Sequence, residues 1–198
     1  MLALLVGLWL LQAGPAPPAI TLAVDARDAS RSLFHVTARL TCAQGPLKLF
    51  DPKFIPGEHG PTGPINSVIR LRLSAGGATL AWKRDPINVY EIDTQCPAGG
   101  VVTIDFDNTF ALPTLFGEIG SATLSRVKWN RLVWYPGPEP SDGIQVVASI
   151  TLPADWVDSP RNLHSGSDGC DRPCGSWSHH RSILRDDLRY FEAAISSK

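Results

Sequence analysis

The chain lacks every short motif that would announce an enzyme. Its 198 residues contain no H-E-x-x-H, no G-x-S-x-G nucleophile elbow, no Walker loop and no dinucleotide fingerprint. H-E-x-x-H sets two histidines on one helix face to hold zinc beside a general-base glutamate. Without it, zinc hydrolysis by that device is excluded here. The five histidines are His35, His59, His164, His179 and His180, and none begins such a motif. Excess charge is also missing: 18 basic against 19 acidic residues leave a net charge of -1. That gives no electrostatic argument for nucleic acid or an anionic membrane. Long apolar runs are missing too. Residues 2–11 are apolar, but a bilayer takes about 20, so no stable membrane span is expected. No repeat of solenoid or propeller length is visible.

What is present is an all-β texture of short β-branched and aromatic runs broken by Gly, Pro and Asp. Ile20, Leu22, Val24 and Ala26 alternate with Thr21, Ala23, Asp25 and Arg27, which makes a strand with one buried face. Phe34, Val36, Ala38 and Leu40 alternate with His35, Thr37, Arg39 and Thr41, placing His35 on the solvated side. Ile69, Leu71 and Leu73 oppose Arg70, Arg72 and Ser74. Ala75-Gly-Gly-Ala78 then turns the chain into Thr79-Leu-Ala-Trp82 as a hairpin. Segments 89–94, 101–106, 121–129 and 144–152 complete the strands, with 96–100 as a turn and 134–143 as a rigid loop. These patterns predict an antiparallel β-sandwich over 20–157, almost free of helix, followed by a non-regular C-terminal tail. Phe34, Val36, Leu71, Leu73, Trp82, Ile104 and Ile150 should be buried, and Trp129 and Trp134 should fill the core rather than stack a ligand.

The flanks differ from this body. Residues 1–19 join the apolar run to a small-residue, proline-rich stretch, as in a signal peptide, although no basic residue precedes the run. Export is the expectation, a hydrophobic N-terminal arm the alternative. In residues 158–198 strand periodicity disappears, while Ser, Arg, His and Cys accumulate. A tail read in a shifted frame of a GC-rich gene would have this composition, and an ordinary polar extension would also. Residues 183–191 could form a short amphipathic helix there. Of the four cysteines, Cys42 and Cys96 each end a strand-like run, so they could pair or stay buried as thiols.

Residues 52–65 hold four prolines and three glycines around one Glu-His pair. Proline fixes φ and removes a donor, so this is a loop of defined shape rather than a central strand. It should be ordered and exposed, anchored by Phe54, Ile55 and Ile65, with Glu58, His59 and Thr62 projecting.

Lys53-Phe-Ile-Pro-Gly-Glu-His-Gly-Pro-Thr-Gly-Pro-Ile65 resembles the signature of the N-terminal domain of glycyl-aminopeptidase-type zinc metallopeptidases, peptidase family sixty-one of the gluzincin clan. Leu80-Ala-Trp-Lys-Arg-Asp-Pro86, Val89-Tyr-Glu91, Val133-Trp-Tyr-Pro136 and Ala148-Ser-Ile-Thr-Leu-Pro-Ala-Asp-Trp156 follow in the expected order. The resemblance spans roughly residues 20–157. It implies a non-catalytic β-domain whose partner is a peptidase domain outside this chain. Zinc is expected only in that domain, and no cofactor in this chain. By resemblance, Glu58, His59 and Thr62 would border the shared cleft; the plainer reading is that they brace a surface loop.

Other polar groups weigh less. Cys170 and Cys174 with His179 and His180 offer soft ligands, but adjacent histidines match zinc spacing poorly. Asp105 and Asp107, and Asp186 and Asp187, are carboxylate pairs of the kind that cap turns or stay solvated. Arg70 and Arg72 fall on a solvated strand face. Three functions compete: the peptidase N-terminal domain, a free-standing secreted β-sandwich binding a protein or glycan, and a small metalloenzyme using the tail.

Overall fold

The structure, a computed structural model, describes residues 19–55, 59–63, 65–110, 119–137, 144–154, 156–158, 180–183 and 192–197. Period-two burial runs through its longest strands. In β2 (Leu33–Thr41) Phe34, Val36, Ala38 and Leu40 are buried, and in β8 (Val101–Thr109) Val102, Ile104 and Phe106 are. Cross-strand pairs Val36–Phe106, Ala38–Ile104 and Leu40–Val102 form one inner face. Each buried Val, Leu, Ile or Phe among them contributes about 1.5–3 kcal/mol over remaining exposed.

Those strands sit in a seven-stranded sheet with β1 (Ala19–Asp25), β4 (Val68–Ala75), β5 (Ala78–Leu80), β12 (Gln145–Thr151) and β14 (His180–Ile183), in the order β14-β12-β1-β2-β8-β4-β5. The pair β1–β12 is parallel and its other pairs are antiparallel. A smaller sheet orders β11 (Tyr135–Pro136), β3 (Gly45–Phe50), β7 (Glu91–Cys96) and β6 (Lys83–Arg84). A third joins β13 (Trp156–Asp158), β15 (Glu192–Ser197), β10 (Leu124–Lys128) and β9 (Ile119–Gly120). Leu47, Leu49 and Ile92 of the small sheet share one apolar core with the inner face of the large one. Among the described residues the only helical elements are 3-10 turns at Ala29–Arg31, Ile65–Ser67 and Trp129–Arg131. The fold is therefore the expected β-sandwich, dominated by antiparallel pairing.

Most expected core positions are buried: Phe34, Val36, Leu73, Ile104, Trp129 and Trp134. Leu71 and Ile150 are half-buried against the core. Leu71 sits in a register shift between Ile69 and Arg72, where a β-bulge interrupts the alternation. Trp82 corrects the expectation, being 36% exposed. The hairpin strand β5 ends at Leu80, and by Lys83 the chain has joined β7 in the other sheet. Period-two inference does not survive that change of sheets. The turn itself is as expected, with Gly76 and Gly77 at φ 55° and 85°, the left-handed region a tight hairpin requires.

Cys42 and Cys96 form a disulfide with Cα atoms 6.1 Å apart, which decides between the two readings of these cysteines. It staples the chain just after β2 to the end of β7. Short segments of the tail, β14 and β15, add strands to two sheets. The signal-like stretch before Ala19, Cys170, Cys174, His179, Asp186, Asp187 and the expected helix beyond Ile183 lie outside the described residues.

Candidate docking site

The small sheet's end at Phe50 is where the proline-rich loop leaves. Pro52 cannot donate to a ladder, so β3 ends and the last bond on this side is Asp51 N–H to the Tyr90 carbonyl, 2.9 Å. The loop returns over the same residue. The Tyr90 hydroxyl lies 3.0 Å from both the Pro61 and the Gly63 carbonyl oxygens, and Gly63 N–H donates to the Lys53 carbonyl at 3.0 Å. Gly63 is required there by space. A Cβ would stand 2.0 Å from the Pro52 carbonyl oxygen and 2.9 Å from the Tyr90 ring.

Ile55 anchors the loop at 3% exposure, whereas Phe54 is 66% exposed and does not. Ile65 packs part-buried on the core as expected. His59 and Thr62 are exposed; Glu58 lies outside the described residues. The structure thus brings two of the three proposed loop residues to the surface, with no side-chain hydrogen bond linking them to one another.

Beneath the loop Asp51 is 2% exposed, and its Oδ2 has no partner among the described residues. Burial pushes its carboxyl up to about 8, against a smaller pull from the Arg84 charge. It is therefore largely neutral at pH 7. Tyr90 is shifted upward as well, by its own burial and by Asp51. Sequence reasoning passed over Asp51; its place immediately before the proline-rich loop was the available signal.

Beside the loop, the Asp85–Glu91 turn joins β6 to β7. Asp85 Oδ1 accepts from Ile87 N–H at 2.8 Å and Asn88 N–H at 2.6 Å, which hold its carboxyl below the usual range. Arg84 donates to the Val89 carbonyl and lies 5.9 Å from the Trp82 ring. Tyr135 stacks on Phe50 at 6.0 Å from the other side. Four of the five motif segments quoted above thus meet at one end of one small sheet.

Asp85, Glu91 and Asp93 cluster within metal-ligand reach of one another. Lys48 occupies that surface, paired with Glu91 and 3.2 Å from Asp93, and no histidine belongs to the group. This set does not fit a hydrolytic zinc centre.

A second polar cluster lies on the outer face of the large sheet and corrects two expectations. His35 is not merely solvated: Nδ1 lies 2.8 Å from Asp107 and Nε2 3.1 Å from Asp28. These bonds raise the imidazole above its ordinary value. Asp107 is buried rather than solvated, and its carboxyl is lowered: burial raises it, but bonds from Arg70 and His35 outweigh that. Arg70, at φ 55° beside the bulge, donates to Asp107 at 2.8 Å.

The family model described as Peptidase M61 N-terminal domain matches residues 21–159. The chain belongs to that family. Among solved structures it is similar to an aminopeptidase N family protein from Idiomarina loihiensis, with TM-score 0.70 and 17% identity over 89% of this chain and 29% of that one. An M1 zinc metallopeptidase from Deinococcus radiodurans gives TM-score 0.48 and 16% identity, covering 90% of this chain and 41% of that one. The first likeness supports the fold, and the chain spans well under half the length of either protein. Among curated proteins none matches. No helix among the described residues is long and apolar enough to cross a membrane.

Proposed function

We propose that this chain is the non-catalytic N-terminal β-domain of an exported metallo-aminopeptidase, packing on a zinc peptidase domain absent from it and shaping that domain's cleft. The observation that carries this reading is the convergence of the 52–65 loop, the 80–86 and 89–91 segments and Tyr135 at one end of the small sheet. A loop pinned by Tyr90, the Gly63–Lys53 bond and buried Ile55, with His59 and Thr62 outward, is a presenting device rather than a turn. Export draws support from the Cys42–Cys96 disulfide, a bond that persists in oxidising compartments. The chain itself hydrolyses nothing in this reading, since zinc and general base belong to the peptidase domain.

The test has two arms. The purified chain should release no amino acid from aminoacyl or peptide substrates and retain no stoichiometric zinc through dialysis. In a full-length family member, alanine at the positions matching Glu58 and His59 should lower kcat/KM on aminoacyl substrates. Unchanged kinetics would reduce the loop to architecture. One equivalent of zinc, lost on mutating Cys170 and Cys174, would favour a metalloenzyme instead. We further propose that the tail from 158 is frame-shifted, with an ordinary polar extension as the alternative; the family match ends at 159. The gene sequence tests this: alternative frames beyond codon 157 that encode no further strands of the family would end the idea.

A further inference from the structure

Ile87 is 94% exposed, the most exposed of the large apolar side chains among the described residues, yet it is held by one of the best-braced turns. Pro86 fixes its own φ, and Asp85 accepts from the two backbone N–H groups that follow. Glu91 N–H donates to the Asn88 carbonyl at 2.9 Å, Asn88 Nδ2 donates to Glu91 at 3.2 Å, and Asp85 N–H closes the base on the Glu91 carbonyl. A turn needing only to reverse the chain would not require a large apolar tip. Trp82 and Val89, exposed on the same β6–β7 unit, flank Arg84, which donates to the Val89 backbone carbonyl and lies 5.9 Å from the Trp82 ring. Phe54, also exposed, lies on the adjoining loop, where Lys53 is 5.8 Å from its ring and 5.9 Å from that of Tyr90. Single exposed apolar residues are ordinary; several gathered on the β6–β7 unit and the loop beside it, one of them on a braced turn, mark an interface. Bracing lowers the ordering cost on association.

We infer that Ile87, with Trp82, Val89 and Phe54, is the preformed apolar contact that seats on the zinc peptidase domain of this family. This rests on the function proposed above. The occupant follows from position and length: the group flanks the family's loop, and the chain matches a domain named as N-terminal while covering 29% of the Idiomarina protein. Lys53, Arg84 and Asp85 supply the polar rim such contacts carry.

The experiment measures, by calorimetry, binding of the 198-residue chain to the separately expressed peptidase portion of a family member. Ile87→Asp should weaken binding about tenfold or more. Val101→Asp places the same charge on an exposed apolar residue at the disulfide end and should leave affinity unchanged. Ile87→Ser, which adds no charge, should weaken binding in the same direction, and melting curves should show both Ile87 variants folded. If the unmodified chain binds and Ile87→Asp binds equally, this contact is wrong while the domain reading stands. If the unmodified chain does not bind, the domain reading itself fails. A chain that dimerises through Ile87 would identify a second copy as the occupant and overturn the inference.

Discussion

The two ends of the small sheet are built from different chemistry. At the Gly45–Cys96 end a covalent bond ties β7 to the chain leaving β2, and the large sheet lies directly behind. At the Phe50–Glu91 end no disulfide holds the loop; one tyrosine hydroxyl, one glycine fit and the Gly63–Lys53 backbone bond do. The first end stabilises the sandwich. The second carries a buried Asp and exposed Ile87, Trp82 and Phe54, the surface proposed above for docking. On that proposal, stability and presentation are separated along one strand pair, each strand of 6 residues.

The largest expected effect breaks the covalent end. Closing a loop across a sequence separation of 54 is worth about 4 kcal/mol in the chain-entropy model. Cys42→Ala with Cys96→Ala should cost roughly that much in urea denaturation, while the hydrogen-exchange protection of the 59–63 segment at neutral pH changes little. Equal loss at both ends would show that they are not separable.

Next comes Asp51. Its folded pKa of about 8 lies above the ordinary 3.8, so the folded state binds the extra proton between those values. Stability from this group is therefore greatest below pH 4 and falls as pH rises towards 8. Asp51→Asn should remove that slope and stabilise the domain at pH 8 by about 2 kcal/mol, after allowance for the high effective dielectric of real protein sites. Denaturant midpoints across pH 4 to 9 check it; parallel profiles for both proteins would mean Asp51 is solvated or paired.

Gly63→Ala sharpens the comparison. Its methyl would collide with backbone, and overpacking of this kind costs about 1–3 kcal/mol. Loss of protection in 59–63, with the disulfide end unaffected, is the expected outcome.

The smallest effect lies on the outer face. His35 has a raised pKa, so its contribution is complete below the ordinary 6.5 and is lost as pH rises through the folded value. The ring is partly solvated and screened, which keeps the effect under about 1 kcal/mol. His35→Gln should match the unmodified protein at pH 9 and be less stable at pH 5.5.

Strands were legible where alternation was long. Phe34 to Leu40 and Val101 to Phe106 are strands as read, because one face is apolar throughout; that they pair with each other was not read. What was not legible depends on contacts between distant residues. His35 and Asp107 stand 72 residues apart, and neither alternation nor spacing reports that they are cross-strand neighbours. Trp82 continued an apolar pattern but lies where the chain changes sheets. In the loop, position was read well and anchoring less so: Ile55 and Ile65 pack, Phe54 does not, and Tyr90, part of the quoted Val89-Tyr-Glu91 segment, was not foreseen as the clamp. The disulfide was one of two readings left open, since pairing needs the 6.1 Å approach that only the fold supplies.

Hydrogen exchange of the chain, alone and with the peptidase portion of a family member, tests the central claim most directly. The account predicts new protection confined to 59–63 and 82–91, with 42–46 and 96–101 unchanged. Protection centred on the disulfide end, or none at either end, would contradict it.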